Sequence, residues 1–361
     1  MINSNTAQSK EKKISSYKIK LISNLVVSQE DRAEEIKGAY PGGRFKRYID
    51  ILKTYFQPLM IVNLLTMLFC LPIIASLLFF EIYGYEEFGY LLAGIGVSDA
   101  PFLLNGFGLG LSSGLSINSA SSIMLKAYMV LVGSITVFLP IVGIGLAGNF
   151  YVCSKLVWGE TLLMKKDKYG NDVPRIIKEF FKGVKFLSGK MVPSISIFGI
   201  IFSGTAFMIL EFSNSFLIGT TNPGHYIGLI LTIILSIFSA MVMTTYLPFN
   251  VSYKNIKVMD RLKNSSIIAS GFSFSSILAF AFSIFPFALL FVGDMVKLII
   301  TIVILSFGLS HFCLVLTNYA DYNSENLIQP LYQQEIKAQL RAERKRTKKV
   351  ETQKQVYKNK K

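Results

Sequence analysis

Glycine stands at positions 106, 108, 110 and 114 of NGFGLGLSSGLS, Asn105 to Ser116. Glycines this close together let backbone N–H groups approach a phosphate, because no Cβ intervenes. A nucleotide loop of the GxxxxGK(S/T) kind also needs a lysine after the run and a strand-to-helix turn around it. No such lysine follows Gly114. Other chemistry is equally thin. There are two histidines, His225 and His311, and three cysteines, Cys70, Cys153 and Cys313, all three in apolar stretches. An odd, scattered set of cysteines predicts neither a disulfide framework nor a zinc site. No HExxH and no Ser–His–Asp grouping with a nucleophile elbow occurs, and no apolar stretch holds paired carboxylates. The chain therefore reads as a non-enzyme with no catalytic centre, metal or cofactor.

What remains is a few polar residues at places that should be apolar. Asn63, Asn149, Asn250, Asn318 and His311 each lie in or at the edge of a long uncharged stretch. Ionisable groups inside a membrane default to a functional role, whereas neutral Asn and His also tie helices together by hydrogen bonds. Asn63, Asn149 and His311 are the candidate intramembrane ligand positions, with helix tying as the alternative for each.

The elements that must position them follow from composition. Of 361 residues, 52% are hydrophobic and 16% charged, against roughly a quarter charged in soluble domains. About 20 apolar residues cross the ~30 Å hydrocarbon core as a helix. Six stretches qualify, at about 59–80, 127–153, 191–210, 226–249, 272–293 and 298–320, and none contains Lys or Arg. The predicted fold is an all-α integral membrane protein with six transmembrane helices. The last two spans are joined by a tight hairpin at DMVK, Asp294 to Lys297.

Charge gives the orientation. Of 37 Lys and Arg residues, 35 fall in the terminal segments and in the second and fourth connections. The positive-inside rule puts these in the cytoplasm, with both termini inside. The glycine run then lies in an outer insertion, residues 81–126, away from any ATP pool, and reads as an irregular extracytoplasmic loop. Proline occurs in or beside five spans, at Pro72, Pro140, Pro193, Pro248 and Pro286, where it tends to kink a helix.

Two amphipathic helices are expected on the cytoplasmic face. In FKRYIDILKTYF, Phe45, Tyr48, Ile49, Leu52, Tyr55 and Phe56 form an apolar side opposite Arg47, Asp50 and Lys53. In DVPRIIKEFFKGVKFLSGK, Ile177, Phe180, Phe181, Val184 and Leu187 form a stripe flanked by Lys178, Lys182 and Lys185. Such helices lie in the headgroup region or pack on the protein's own base. The final 25 residues carry eleven Lys or Arg, among them Arg341, Arg344, Lys345 and Arg346. These seven basic side chains are the candidate contacts for anionic lipid or a partner. Base stacking has only Tyr357 to draw on, so no specific nucleic acid is expected. The chain divides into a polar extension (1–40), the membrane domain (41–332) and a basic tail (333–361).

Four stretches together resemble the YesL-like bacterial membrane proteins: NLLTMLFCLPII from Asn63, GIGLAGNFYVCSKLVWGE from Gly143 with VPRIIKEFFKGVK after it, YLPFNVSYKNIKVMDRLKNSSIIA from Tyr246, and FGLSHFCLVLTNYADYNSENLIQPLY from Phe307. The likeness covers roughly 40–80 and 135–332. It implies a multi-pass bacterial plasma-membrane protein associated with carbohydrate uptake and use, with components of that uptake as partners. The outer insertion departs from the family's short loop.

Two functions are expected from this. The first is performing or assisting transport of a small solute, a saccharide by the family context. The second is a scaffold or regulator whose basic cytoplasmic surfaces bind a partner or anionic lipid.

Overall fold

A computed structural model describes residues 43–80, 117–160, 162–166, 172–217, 219–253, 256–292 and 294–324. The described chain is almost wholly helical. In order it forms α1 (Arg44–Phe80), α2 (Ile117–Val157), a three-residue antiparallel ladder of β1 (Met164–Lys166) and β2 (Asp172–Pro174), then α3 (Ile176–Leu217), α4 (Pro223–Ser252), α5 (Val258–Gly271) and α6 (Ser273–Ala288). The last span consists of α7 (Asp294–Val303), a π turn (Ile304–Gly308) and α8 (Leu309–Asn323). Among the described residues five helices are long and apolar enough to cross a membrane, or six if the bent pair α5–α6 counts as one span.

Several boundaries differ from the sequence expectation. The first amphipathic helix is not separate: α1 runs through it and bends at Tyr55 (φ −119°, ψ 28°). Pro58 lies three residues further on, and its ring obstructs the helical backbone of the preceding turn. On that amphipathic segment Tyr48 and Ile51 are buried, whereas Phe45 and Phe56, expected on the same side, are exposed. The second amphipathic helix has likewise merged with the third span into the 42-residue α3. Its buried side is Ile176, Phe180 and Leu187, so Ile177 and Phe181 face outward. DMVK is not a hairpin loop but the first turn of α7. The stretch expected as the fifth span is the 16-residue α6, about 24 Å long, which is too short to cross by itself and meets α5 at 102°.

Close approach of α2 and α3 explains their continuous lengths of 41 and 42 residues. A Cβ at Gly148 would lie 2.6 Å from the Phe180 ring, and one at Gly183 would lie 2.5 Å from Tyr151. Small residues on both helices let the backbones meet, the usual device where lipid competes poorly with tight van der Waals contact. Each helix therefore supports the other beyond the 20 residues a bilayer requires.

The helices run up and down. α1 is antiparallel to α8, since Arg47 meets Asp321 and Asn63 meets Leu309 and Ser310. α2 is antiparallel to α1, with Phe69 beside Gly145 and Phe80 beside Tyr128. The described start of α1 and the end of α8 thus share one end of the bundle. Arg175, Lys178 and Lys155 share it too, because α2 and α3 meet there through Lys155 and Glu179. Among the described residues Lys126 and Lys297 lie toward the opposite end, near the start of α2 and of α7.

Packing follows the same polarity. Every residue of α4 from Ser239 to Ser252 is buried, while in its first half Thr232 alone is. Among the described side chains, burial in α1 stops at Cys70 and in α2 starts at Val142. None of Val296–Val303 is buried, yet Ser310–Asp321 are buried apart from Phe312. In α1, α2, α4 and α7–α8 burial is concentrated at the basic end, whereas α3 keeps one side buried through Thr205, Phe212 and Ser215 toward the other.

Candidate functional site

Asn63 lies on the α1 face that also carries Leu59, Val62, Thr66 and Cys70, all buried. Their spacing of three and four residues is one helical stripe. Across from it the last span opens into the π turn. Asn63 Nδ2 donates to the carbonyls of Ile304 (3.1 Å) and Leu305 (2.7 Å), and its Oδ1 accepts from the N–H groups of Leu309 (2.8 Å) and Ser310 (3.1 Å). One carboxamide thereby bridges carbonyls at the start of the widened turn to the amides just past its end, as an inserted peptide group would. All its hydrogen-bonding capacity is used.

Asn149 of α2 joins the same centre. Its Nδ2 donates to Thr66 Oγ1 (3.0 Å) and Ser310 Oγ (3.3 Å), while Cys153 Sγ donates to its Oδ1 (3.3 Å). Ser310 Oγ in turn donates to the Leu59 carbonyl at 2.9 Å. Three spans are tied at one level by Asn63, Thr66, Asn149 and Ser310, each fully buried. Low dielectric makes such a closed network stabilising and makes any broken member expensive.

His311 is next in sequence to Ser310 but turns elsewhere. Nε2 is 2.8 Å from the Phe282 carbonyl and Nδ1 2.8 Å from the Tyr48 hydroxyl. A carbonyl can only accept, so in the neutral ring Nε2 carries the proton and Nδ1 accepts from Tyr48. Phe282, Phe307 and Tyr48 pack edge-on around the imidazole. The structure brings Asn63 and Asn149 into one knot and places His311 in a separate link between α1, α6 and α8. All three side chains are engaged by protein partners.

The basic end holds further polar clusters that the amino-acid pattern did not single out as sites. Asp321 is an ion-pair partner of Arg47 at 2.5 Å and is almost fully buried. The Arg44 guanidinium lies 4.0 Å from the centre of the Tyr322 ring, and Asn318 Nδ2 donates to the Arg44 carbonyl at 2.8 Å. Arg261 is buried within α5. It donates to Asn250 Oδ1 and to the carbonyls of Tyr253 (3.3 Å) and Ile256 (3.0 Å), covering the end of α4. Cationic donors suit the exposed carbonyls of a helix C-terminus. Glu179 is fully buried on α3; its Oε1 accepts from Lys155 Nζ (3.1 Å) and from the Leu163 N–H (3.2 Å). A basic loop and a lysine-flanked helix read as solvated, so no pattern marks Arg261 or Glu179 for burial.

Lys178, Lys182 and Lys185 are exposed on α3. Arg341, Arg344, Lys345 and Arg346 lie outside the described residues. All three cysteines are buried and unbridged. Among the described residues no three His, Cys, Asp or Glu side chains gather as a metal ion would require. The arrangement serves to lock helices at one end of the bundle. Compared with family models, curated proteins and solved structures, the chain finds no match.

Proposed function

We propose that this is a bacterial plasma-membrane protein that performs or assists transport of a small solute, with its basic end in the cytoplasm. The packing gradient supports this. In α1, α2, α4 and α7–α8 burial falls off away from the basic end, which fits a solute entrance on that side above a closed floor. That floor is the knot of Asn63, Thr66, Asn149 and Ser310, with the Arg47–Asp321 pair nearer the basic end. Opening such a floor means breaking buried hydrogen bonds, so the closed state is the resting one and solute binding must supply the difference. The YesL-like resemblance makes saccharides the first solute class to test. Purified protein in liposomes is expected to take up at least one sugar of a panel saturably. Absence of saturable uptake or binding for every sugar, with no carbohydrate growth defect on deletion, would overturn the proposal.

The orientation is a separate expectation. A reporter active only outside the cell stays silent when inserted at residue 170 or fused to the carboxyl end. A signal from either position would reverse the placement of the basic end.

A second function, a scaffold acting through its basic surface, is favoured by one observation: Lys178, Lys182 and Lys185 share an exposed face with apolar side chains.

A further inference from the structure

The face opposite the α2 contact of α3 has an unusual make-up. Lys178, Lys182 and Lys185 follow at intervals of four and three residues and so form one stripe. Ile177 and Phe181 border it on one side and Phe186 on the other, at 57%, 50% and 63% exposure. This part of α3 lies beside Gly148, Tyr151 and Lys155 of α2. α2 has no charged residue from Ala127 through Ser154, so its neighbour here runs along the edge of the apolar slab rather than far out in water. Lysines in that position reach headgroups with their stems along the apolar surface.

A second element at the same end points to the same environment. α5 turns by 102° from α6, and so runs along the slab if α6 crosses it. Its buried face carries Arg261, Asn264 and Ser265, together with Ile268 and Ala269. Its exposed face carries Val258, Met259 and Leu262, with Lys257 and Lys263 beside them. A helix surrounded by water on its outer side shows the opposite pattern, polar out and apolar in. Polar residues turned inward and apolar ones outward fit a helix whose free face rests in the boundary between headgroups and acyl chains. Phe45, exposed beside Lys46 at the start of α1, adds a third contribution.

We infer that the basic end carries a built lipid interface, in which Lys178, Lys182 and Lys185 bind phosphates of an anionic phospholipid leaflet and Met259 and Leu262 enter its acyl boundary. The occupant is the leaflet itself because cation and apolar side chain alternate along the same surface. Anionic headgroups above acyl chains supply both partners at that spacing. This goes beyond the transport proposal and stands if that proposal fails.

The test uses the full chain purified in mild detergent, with phosphatidylglycerol or phosphatidylcholine added. Phosphatidylglycerol is expected to raise the unfolding temperature more than phosphatidylcholine, and the difference should shrink in high salt. The combined Lys178→Gln, Lys182→Gln, Lys185→Gln variant should lose at least half of the difference, whereas the corresponding triple arginine variant keeps it. Equal responses to the two lipids, or a glutamine variant that responds like wild type, would overturn the inference and leave this face to a protein partner. A second measurement does not depend on those lysines. A nitroxide at Met259→Cys, in a chain whose native cysteines are all buried, should collide more with oxygen than with an aqueous nickel complex in phosphatidylglycerol bilayers. The reverse order would place α5 in water and sink the acyl-boundary half of the inference.

Discussion

Asn63→Leu destabilises the protein by about 3–5 kcal/mol, measured as unfolding in detergent. The figure follows from the four backbone groups that the carboxamide serves: the carbonyls of Ile304 and Leu305 and the amides of Leu309 and Ser310. Each buried group left without a partner costs about 1–3 kcal/mol, and the turn recovers part of that by tightening towards regular α-helix. Tightening has its own signature. Removing the extra residue of a π turn rotates everything before it by roughly 100° relative to α8. Exposed residues of α7 such as Leu298, Ile299 and Ile302 would then turn toward the bundle, which accessibility of cysteines placed along Leu298–Val303 would reveal. A leucine variant within about 1 kcal/mol of wild type would mean that the π turn holds its own hydrogen bonds and Asn63 is a spectator.

Removing Glu179 has an effect of similar size for a different reason. Its carboxylate is fully buried and neutralises Lys155, which is 13% exposed, while the same oxygen receives the Leu163 amide. Glu179→Leu therefore leaves a largely buried ammonium without its counter-charge and a backbone donor without an acceptor. Breaking a buried pair from one side costs about 3–5 kcal/mol, and removing both charges together is often far milder. Glu179→Leu is expected near 3 kcal/mol because Lys155 keeps some access to solvent. The double variant Lys155→Met, Glu179→Leu should recover more than half of that loss. If single and double variants unfold alike, the two charges are not coupled. Limited proteolysis adds a local readout. Arg175 N donates to the Leu163 carbonyl at 2.6 Å, so the β1–β2 ladder hangs on the same residues, and the single variant should be nicked there faster than wild type.

These expectations rest on features of unequal visibility in the amino-acid order. Asn63 and Asn149 stood out because an amide in a long uncharged stretch has no water to turn to. Their shared partner, Ser310, did not, since serine is common in membrane helices and closes many local bonds to its own helix. Nothing near Ile304–Gly308 announces a π turn, or that a carboxamide from a helix some 240 residues away lies between its first carbonyls and the amides that follow it. Arg261 shows the limit from the other side. In KVMDRLKNS it reads as one more basic residue of a solvated loop, whereas the folded chain turns it inward onto the carbonyls of Tyr253 and Ile256, just past the end of α4.

The approximate places of the long apolar stretches were determined by sequence alone, because hydrocarbon penalises charge residue by residue and needs no knowledge of neighbours. The same independence explains why segregation of lysine and arginine could be read directly from their positions. Tertiary structure decided the rest: that two spans continue into their amphipathic flanks, that the fifth is short and meets its neighbour at a sharp bend, and which face of α3 and α5 turns outward. Each of those depends on what lies across from a residue rather than beside it. A helix face becomes inside or outside only when another helix arrives to cover it.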